Sequence, residues 1–348
     1  MLFLAGVSIN KMPKVLISGI GGFVAAHILE HLLTKTGWHI IGIASWKHKG
    51  QPERVSEVLR GNPLWKDRLT IITHDLVSPL SEKTKKQIGY VDYILNIASE
   101  SHVDRSITDP VPFIKNNVDL TLNMLEYARE YPPKVFLQFS TDETSGPAPQ
   151  GVYHDEWAPI IPSNPYSASK AAQEAICISY WRTYGVPIVI TNGENFFGEM
   201  QDPEKYIAKI VRKVSRGETI TVHGKKGDVG SRFYLHARNA ADALLFILGN
   251  LPPKKYEDGT VDRPDKYNIV SDSEIDNLSL AKIMAEIMGK PLKYEFLDFH
   301  AARSGHDRRY ALSGDKLRSL GWKAPIGFDA SLKKYIDWTL MPEHRIWL

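Results

Sequence analysis

The sequence predicts an α/β protein, a doubly wound parallel sheet followed by a smaller mixed α/β lobe. Three observations carry this expectation. A glycine cluster follows the first short apolar run. Apolar β-leaning runs then alternate with helical patterns for almost two hundred residues. After about residue 195 that alternation gives way to shorter elements broken by Asp202-Pro203, Pro252-Pro253 and Arg263-Pro264. Lys14–Ser18 reads as a buried strand and Phe23–Leu33 as the helix after it. Trp38–Ala44, Leu69–Thr73, Tyr93–Ile97, Lys134–Ser140 and Ile188–Thr191 read as further strands, with Phe113–Arg129 helical. Thr219–His223 and Tyr267–Val270 are isolated strands of the second lobe. The expected division is residues 12–195, with returning segments near 230–248, for the sheet domain, and mostly 196–348 for the other lobe.

Composition narrows the class. The chain has 348 residues, 43% hydrophobic and 24% charged, enough apolar material for a sizeable core. Its formal charge of +3 leaves no nucleic-acid footprint. Cys177 is the single cysteine, so no intrachain disulfide forms, and no Cys/His cluster has zinc-site spacing. No apolar run reaches a membrane span, and the apolar start Met1–Val7 is a poor signal peptide. A soluble cytoplasmic enzyme without a metal is the expectation.

Gly19-Ile20-Gly21-Gly22-Phe23-Val24-Ala25 lies between the first strand and the first helix. Glycine there lets the backbone approach a pyrophosphate, which the helix N-terminus then stabilises. This position makes the sheet Rossmann-type and Gly19, Gly22, Phe23 and Val24 cofactor candidates. The second strand ends Ser45-Trp46-Lys47-His48-Lys49, without the carboxylate that usually holds an adenosine ribose. Ser45, Lys47 and His48 suit a 2′-phosphate, so both NAD and NADP stay open.

Tyr166 and Lys170 are spaced i, i+4 and share one helix face. An ammonium beside a phenol favours the phenolate, which removes a hydroxyl proton while hydride leaves the same carbon. Ser140-Thr141-Asp142-Glu143 stands at a predicted strand end, where ligands of such sheets bind. Its adjacent carboxylates suit an acid and a base whose environments separate their proton affinities.

Five motifs occur in order: Asn96–Ser106, Ser140–Glu143, Tyr166–Lys170, Pro203-Glu204-Lys205 and Gly305–Tyr310. Together they resemble the nucleotide-sugar 4,6-dehydratases, particularly dTDP-glucose 4,6-dehydratase-like members of the extended short-chain dehydrogenase/reductases, from about Lys14 to Leu340. The resemblance implies that Tyr166, helped by Lys170, deprotonates the sugar 4-hydroxyl while hydride leaves C4. It makes Glu143 the C5 base, Asp142 the acid for the departing 6-hydroxyl and Thr141 a partner of the 4-oxygen. It implies a tightly bound NAD or NADP, recycled within each turnover and met by Asp75, Leu76, Ala98, Ser99, Asn116 and Ser140, as well as by Tyr166 and Lys170. Ser101, Asn195, Glu204, Lys205, Arg232, Asn268, Arg303, His306 and Arg309 would bind the nucleotide sugar. It also implies a homodimer through a four-helix bundle built from Asn117–Glu130 and Ser167–Tyr184.

The sequence departs from the family pattern at several places. Thr144-Ser145-Gly146 stands where Val-Tyr-Gly is usual, and Asn116 replaces a threonine. Phe196 replaces a second asparagine, and Gly193-Glu194 is unusual. A related nucleotide-sugar epimerase, 5,6-dehydratase or decarboxylase, or a dinucleotide-binding protein without turnover, are the alternatives.

Overall fold

The computed structural model describes residues 12–47, 49–298 and 307–348. His48, Arg303 and His306 lie outside them, as does the apolar segment Met1–Val7. Seven strands form one parallel sheet in the order β3-β2-β1-β4-β5-β6-β11. They are β1 (Lys14–Ser18), β2 (His39–Ala44), β3 (Leu69–Thr73), β4 (Tyr93–Asn96), β5 (Val135–Thr141), β6 (Ile188–Gly193) and β11 (Asp265–Ile269). Strand order reverses between β1 and β4, which opens a crevice at the carboxyl ends of those two strands. The sheet takes its last strand, β11, from within the segment expected to form the second lobe.

Alternation along the strands builds two apolar layers. Val15 and Ile17 of β1 face α1 (Phe23–Lys35) and α8 (Ala237–Asn250). Leu16 faces the opposite layer with Met124 of α5 (Pro110–Glu130) and Cys177 and Trp181 of α6 (Pro165–Tyr184). Cys177 is therefore a core side chain, fully buried. A third cluster organises the second lobe, where Ile207, Ile210 and Val211 of α7 (Tyr206–Ser215) meet Met284 and Tyr335.

Two local features aim the site. Helix α1 starts at Gly22 with no side-chain cap and no acidic residue in its first turn. Its unpaired N–H groups thus remain available to an anion. Helix α6 starts with a capping box between Asn164 and Ser167 and with Pro165 at its first position. This start fixes Tyr166 within the first turn, near the end of β5. Asp75 and Leu76 lie beyond β3, which ends at Thr73, rather than in the strand itself.

Candidate active site

A cleft of about 370 Å³ follows the crevice from the glycine turn to the β5 and β6 strand ends. Gly19, Gly22, Phe23, Val24, Ser45, Lys47, Asp75, Leu76, Ala98, Ser99 and Asn116 line it, as do Ser140, Tyr166 and Lys170. Ser101, Thr141, Asp142, Glu143, Asn195, Glu204 and Lys205 line it too.

The glycine turn fits a dinucleotide. Gly19 has φ +71, and a Cβ there would meet the Ala98 backbone at 2.9 Å. A Cβ at Gly21 would meet the Trp46 ring at 2.9 Å. Ser18 ties the two sides of the crevice by donating to Asn96 at 2.8 Å while accepting from the Ile97 and Ala98 N–H groups at 3.0 Å each. Buried Arg54 donates from Nη1 to Gly21 O at 3.0 Å and from Nε to Met200 O at 3.0 Å. It thereby joins the glycine turn to the loop that carries Glu204 and Lys205.

The basic stretch after β2 is less free than its sequence suggests. Lys47 Nζ contacts Asp75 Oδ2 at 2.7 Å, a bond that holds the Asp75 carboxyl below its ordinary range. Lys49 turns to Asp202 at 2.7 Å and Glu204 at 3.3 Å. We expect Asp75→Asn to release Lys47 and to shift the NADP-to-NAD affinity ratio toward NADP by a factor of about 5. Calorimetric binding of both dinucleotides measures this, and an unchanged ratio contradicts it.

The chemistry-bearing groups gather at the β5 end. Thr141 Oγ1 donates to Asp142 Oδ1 at 2.9 Å. Asp142 Oδ2 is buried and has no hydrogen-bonding partner among the described residues. Glu143 Oε2 instead accepts from Asn164 Nδ2 at 3.1 Å and from the Tyr310 hydroxyl at 3.5 Å. Burial, with the Glu143 charge, pushes the Asp142 carboxyl up to about 7. Burial also raises Glu143, but Asn164 and the Arg232 charge pull it back. Burial thus raises both adjacent carboxyls, but their partners differ: Asp142 keeps Oδ2 free of donors among the described residues, whereas Glu143 Oε2 is met by Asn164 and Tyr310.

One expectation is corrected here. The Lys170 ammonium donates to the Phe139 carbonyl at 2.6 Å, and burial brings it down to about 8. The Tyr166 phenol lies above its ordinary value in the protein alone, because burial and the Glu143 and Asp142 charges outweigh the lowering by the Thr141 hydroxyl. Lys170 therefore does not lower Tyr166 in this arrangement.

Three expected substrate ligands are engaged elsewhere and lie outside the residues that line the cleft. Asn268 spends its amide on the His154 and Ser313 carbonyls, 3.3 and 3.0 Å away, because β11 lies at the sheet edge against those loops. Arg309 clamps the Pro149 and Val152 carbonyls at 2.7 and 2.8 Å and pairs with Glu274 at 2.7 Å. Arg232 stacks on Tyr310 at 4.8 Å and donates to Arg308 O at 2.6 Å, acting on the carboxyls only through its charge. The Ser140 hydroxyl turns inward to Glu174.

Sequence reading missed Asn164, Tyr310 and Glu194. Asn164 carried a signal in its Asn-Pro helix start two residues before Tyr166. Glu194 accepts from the Ser271 and Leu312 N–H groups at 3.1 and 3.4 Å, and burial pushes it well above its ordinary value. The unusual Gly193 before it makes room for Phe196, whose ring a Cβ would meet at 2.3 Å.

His27, Glu199 and His236 form a buried trio with metal-like spacing. His236 Nδ1, however, accepts the Arg238 N–H at 3.1 Å, so its proton sits on the Nε2 that faces Glu199. The Arg238 guanidinium also lies 3.3 Å from Glu199. The trio acts as a polar knot under the Gly198 turn.

A glycine-lined crevice beside a Tyr/Lys helix and an acidic strand end defines a dinucleotide-dependent enzyme of the Rossmann class. Residues 15–269 match the NAD dependent epimerase/dehydratase family. A dTDP-glucose 4,6-dehydratase of Salmonella typhimurium is 30% identical over 351 residues, covering 94% of this chain and 92% of that protein. The low-salt glycan biosynthesis protein Agl12 of Haloferax volcanii is 32% identical, covering 94% and 98%. Among solved structures, the NAD-bound dTDP-glucose 4,6-dehydratase of Streptomyces venezuelae superposes with a TM-score of 0.82 at 27% identity, covering 96% of this chain and 98% of the other. The chain belongs to the NAD dependent epimerase/dehydratase family. Among the described residues no helix is long and apolar enough to cross a membrane.

Proposed function

We propose that the protein is an NAD-dependent, cytoplasmic nucleotide-sugar 4,6-dehydratase, a hydro-lyase that forms a 4-keto-6-deoxy sugar. The observation that carries this reading is the pair Asp142 and Glu143 beside Tyr166, with Asp142 Oδ2 unpartnered among the described residues and Glu143 held by donors. An epimerase needs the tyrosine but has no use for a separate acid and base.

NAD, when bound, supplies the acceptor of hydride from C4 and the donor of hydride to C6. The first helical turn of α1, Gly19, Gly22, Ser45, Asp75, Leu76, Ala98 and Ser99 would hold it. NAD, rather than NADP, is favoured by the Lys47–Asp75 pair, which keeps a carboxylate at the adenosine end. Tyr166 takes the proton of the 4-hydroxyl, and Thr141 holds the 4-oxygen. The ketone at C4 acidifies C5, whose proton Glu143 removes. Asp142 protonates the departing 6-hydroxyl, and water leaves. Glu143 then returns a proton to C5. Ser101, Glu204 and Lys205 line the outer cleft and would meet the nucleotide sugar.

A homodimer would bury the outer faces of α5 and α6, a reading supported by the exposure of Val111, Ile114 and Ala175. Incubation with dTDP-glucose, UDP-glucose, UDP-GlcNAc, CDP-glucose and GDP-mannose tests the activity. Loss of one water from a member supports it, and intact mass throughout, with folded NAD-loaded protein, refutes it.

The pH dependence follows from Asp142. The acid works only while protonated, and burial with the Glu143 charge pushes its carboxyl up to about 7. We therefore expect the elimination step, followed in a single turnover after C4 oxidation when Tyr166 has already acted, to slow about tenfold per pH unit on the alkaline side of that value. A profile flat from neutral to pH about 9 contradicts the assignment of Asp142 as the acid.

A further inference from the structure

The start of α6 and the end of β5 meet at one side chain. The Asn164 amide turns its two ends to opposite demands. Its Oδ1 accepts the Ser167 N–H at 2.9 Å, which caps the helix that carries Tyr166. Its Nδ2 donates to Glu143 Oε2 at 3.1 Å. A backbone donor on one side and a carboxylate on the other leave one orientation of the amide that satisfies both. Asn164 is 6% exposed and lies outside the residues that line the cleft, so it reaches the reaction through its neighbours.

We propose that Asn164 is a positioning residue of the elimination step, an amide that holds the ionised Glu143 carboxylate in place relative to Tyr166 for removal of the C5 proton. This inference rests on the dehydratase reading. In that step the C5–H pair becomes the C5–C6 π bond and the C5 proton passes to Glu143. The C6–O bond breaks, and the leaving oxygen takes the Asp142 proton.

Two physical effects join in the one amide. A hydrogen bond to the ionised form favours that form, whereas burial favours the protonated acid. Burial raises Glu143, and the Asn164 bond opposes that rise. The same amide caps α6 two residues before Tyr166, so base and tyrosine are both referred to one helix start. Glu143 also faces the Arg232 and Lys205 charges, which favour its ionised form, and Asp307, which opposes it. Asp142, Tyr166 and Tyr310 stand beside it too. None of these groups changes in the variants below.

The test separates the donor from the cap. Serine caps a helix as asparagine does but brings no amide to Glu143. NAD-loaded enzyme is followed through a single turnover of a sugar nucleotide that wild type dehydrates. Near-ultraviolet absorbance reports C4 oxidation, and rapid quench with mass spectrometry reports water loss. In Asn164→Ser the elimination at neutral pH should slow about tenfold, and the acidic limb of its pH profile should move up by about one pH unit, because Glu143 holds its proton more tightly. Oxidation at C4 should stay within about twofold of wild type, since no group that serves the 4-hydroxyl is altered. Asn164→Ala should show the same kinetic loss together with a lower melting temperature, because it removes the cap as well. Asn164→Gly, tolerated at a helix start, repeats the test should Asn164→Ser fail to fold. Equal slowing of oxidation and elimination in a folded variant overturns the proposal and leaves Asn164 a helix cap only. So does an elimination rate that stays at the wild-type level, or an acidic limb that does not move. Wild-type enzyme that removes no water from any sugar nucleotide refutes the dehydratase reading and this inference with it, and is recognised by the absence of product before any variant is compared.

Discussion

Replacing Glu143 with Gln is expected to lower water loss by about 10²–10⁴-fold while leaving oxidation at C4 measurable. The glutamine keeps the shape and can still pair with Asn164 and Tyr310, which meet the carboxylate at 3.1 and 3.5 Å. It cannot accept the C5 proton. Tyr166, Thr141 and Lys170 are untouched, so substrate should reduce the bound nicotinamide and stall there. Near-ultraviolet absorbance follows the reduced cofactor, and mass spectrometry follows water. Equal loss of both steps in a folded variant would remove Glu143 from the elimination and point to a role in binding.

The second large effect is on stability. Lys266 on β11 pairs with Glu174 on α6 at 2.7 Å, and both side chains are nearly fully buried. Asn192 lies between them, donating to Glu174 at 3.2 Å and accepting from Lys266 at 3.1 Å in the amide orientation that satisfies both. Lys266→Met leaves the Glu174 carboxylate buried and uncompensated. Removing one member of such a pair costs about 3–5 kcal/mol, whereas removing both costs far less. Urea unfolding should therefore show a large loss for Lys266→Met and substantial recovery in Glu174→Leu/Lys266→Met. A single-variant loss below about 1 kcal/mol, the range of exposed pairs, contradicts a dry ion pair at this place.

The sheet was legible because its strands are short apolar runs bounded by turns. Lys14–Ser18 and Leu69–Thr73 match their observed strands residue for residue, and Phe113–Arg129 lies inside α5. The second lobe was harder to read. Its strands are two to six residues long and pair across distant parts of the chain, as β10 (Ser231–His236) does with β12 (Glu274–Asp276) and β7 (Asn195–Phe197). Local periodicity carries no information about such pairing.

The site divides in the same way. Thr141, Asp142, Glu143, Tyr166 and Lys170 belong to two short motifs at a strand end and a helix start, so sequence spacing places them. Asn268 and Arg309 do not, and their side chains answer to loops more than 100 residues away in sequence. The role of Lys47 was equally hidden, because its partner Asp75 lies on the next strand's loop. Residue type suggested a phosphate ligand, and only tertiary placement reveals the neutralising carboxylate.

The most direct test of the dehydratase assignment is turnover of a sugar nucleotide in deuterium oxide, with the product analysed by mass spectrometry and NMR. The assignment predicts a 4-keto-6-deoxy product, one water lighter than the substrate, with one solvent deuterium at C5, because Glu143 exchanges its proton before returning it. A sugar nucleotide of unchanged mass and inverted C4, with no deuterium on carbon, would contradict it and make the enzyme an epimerase.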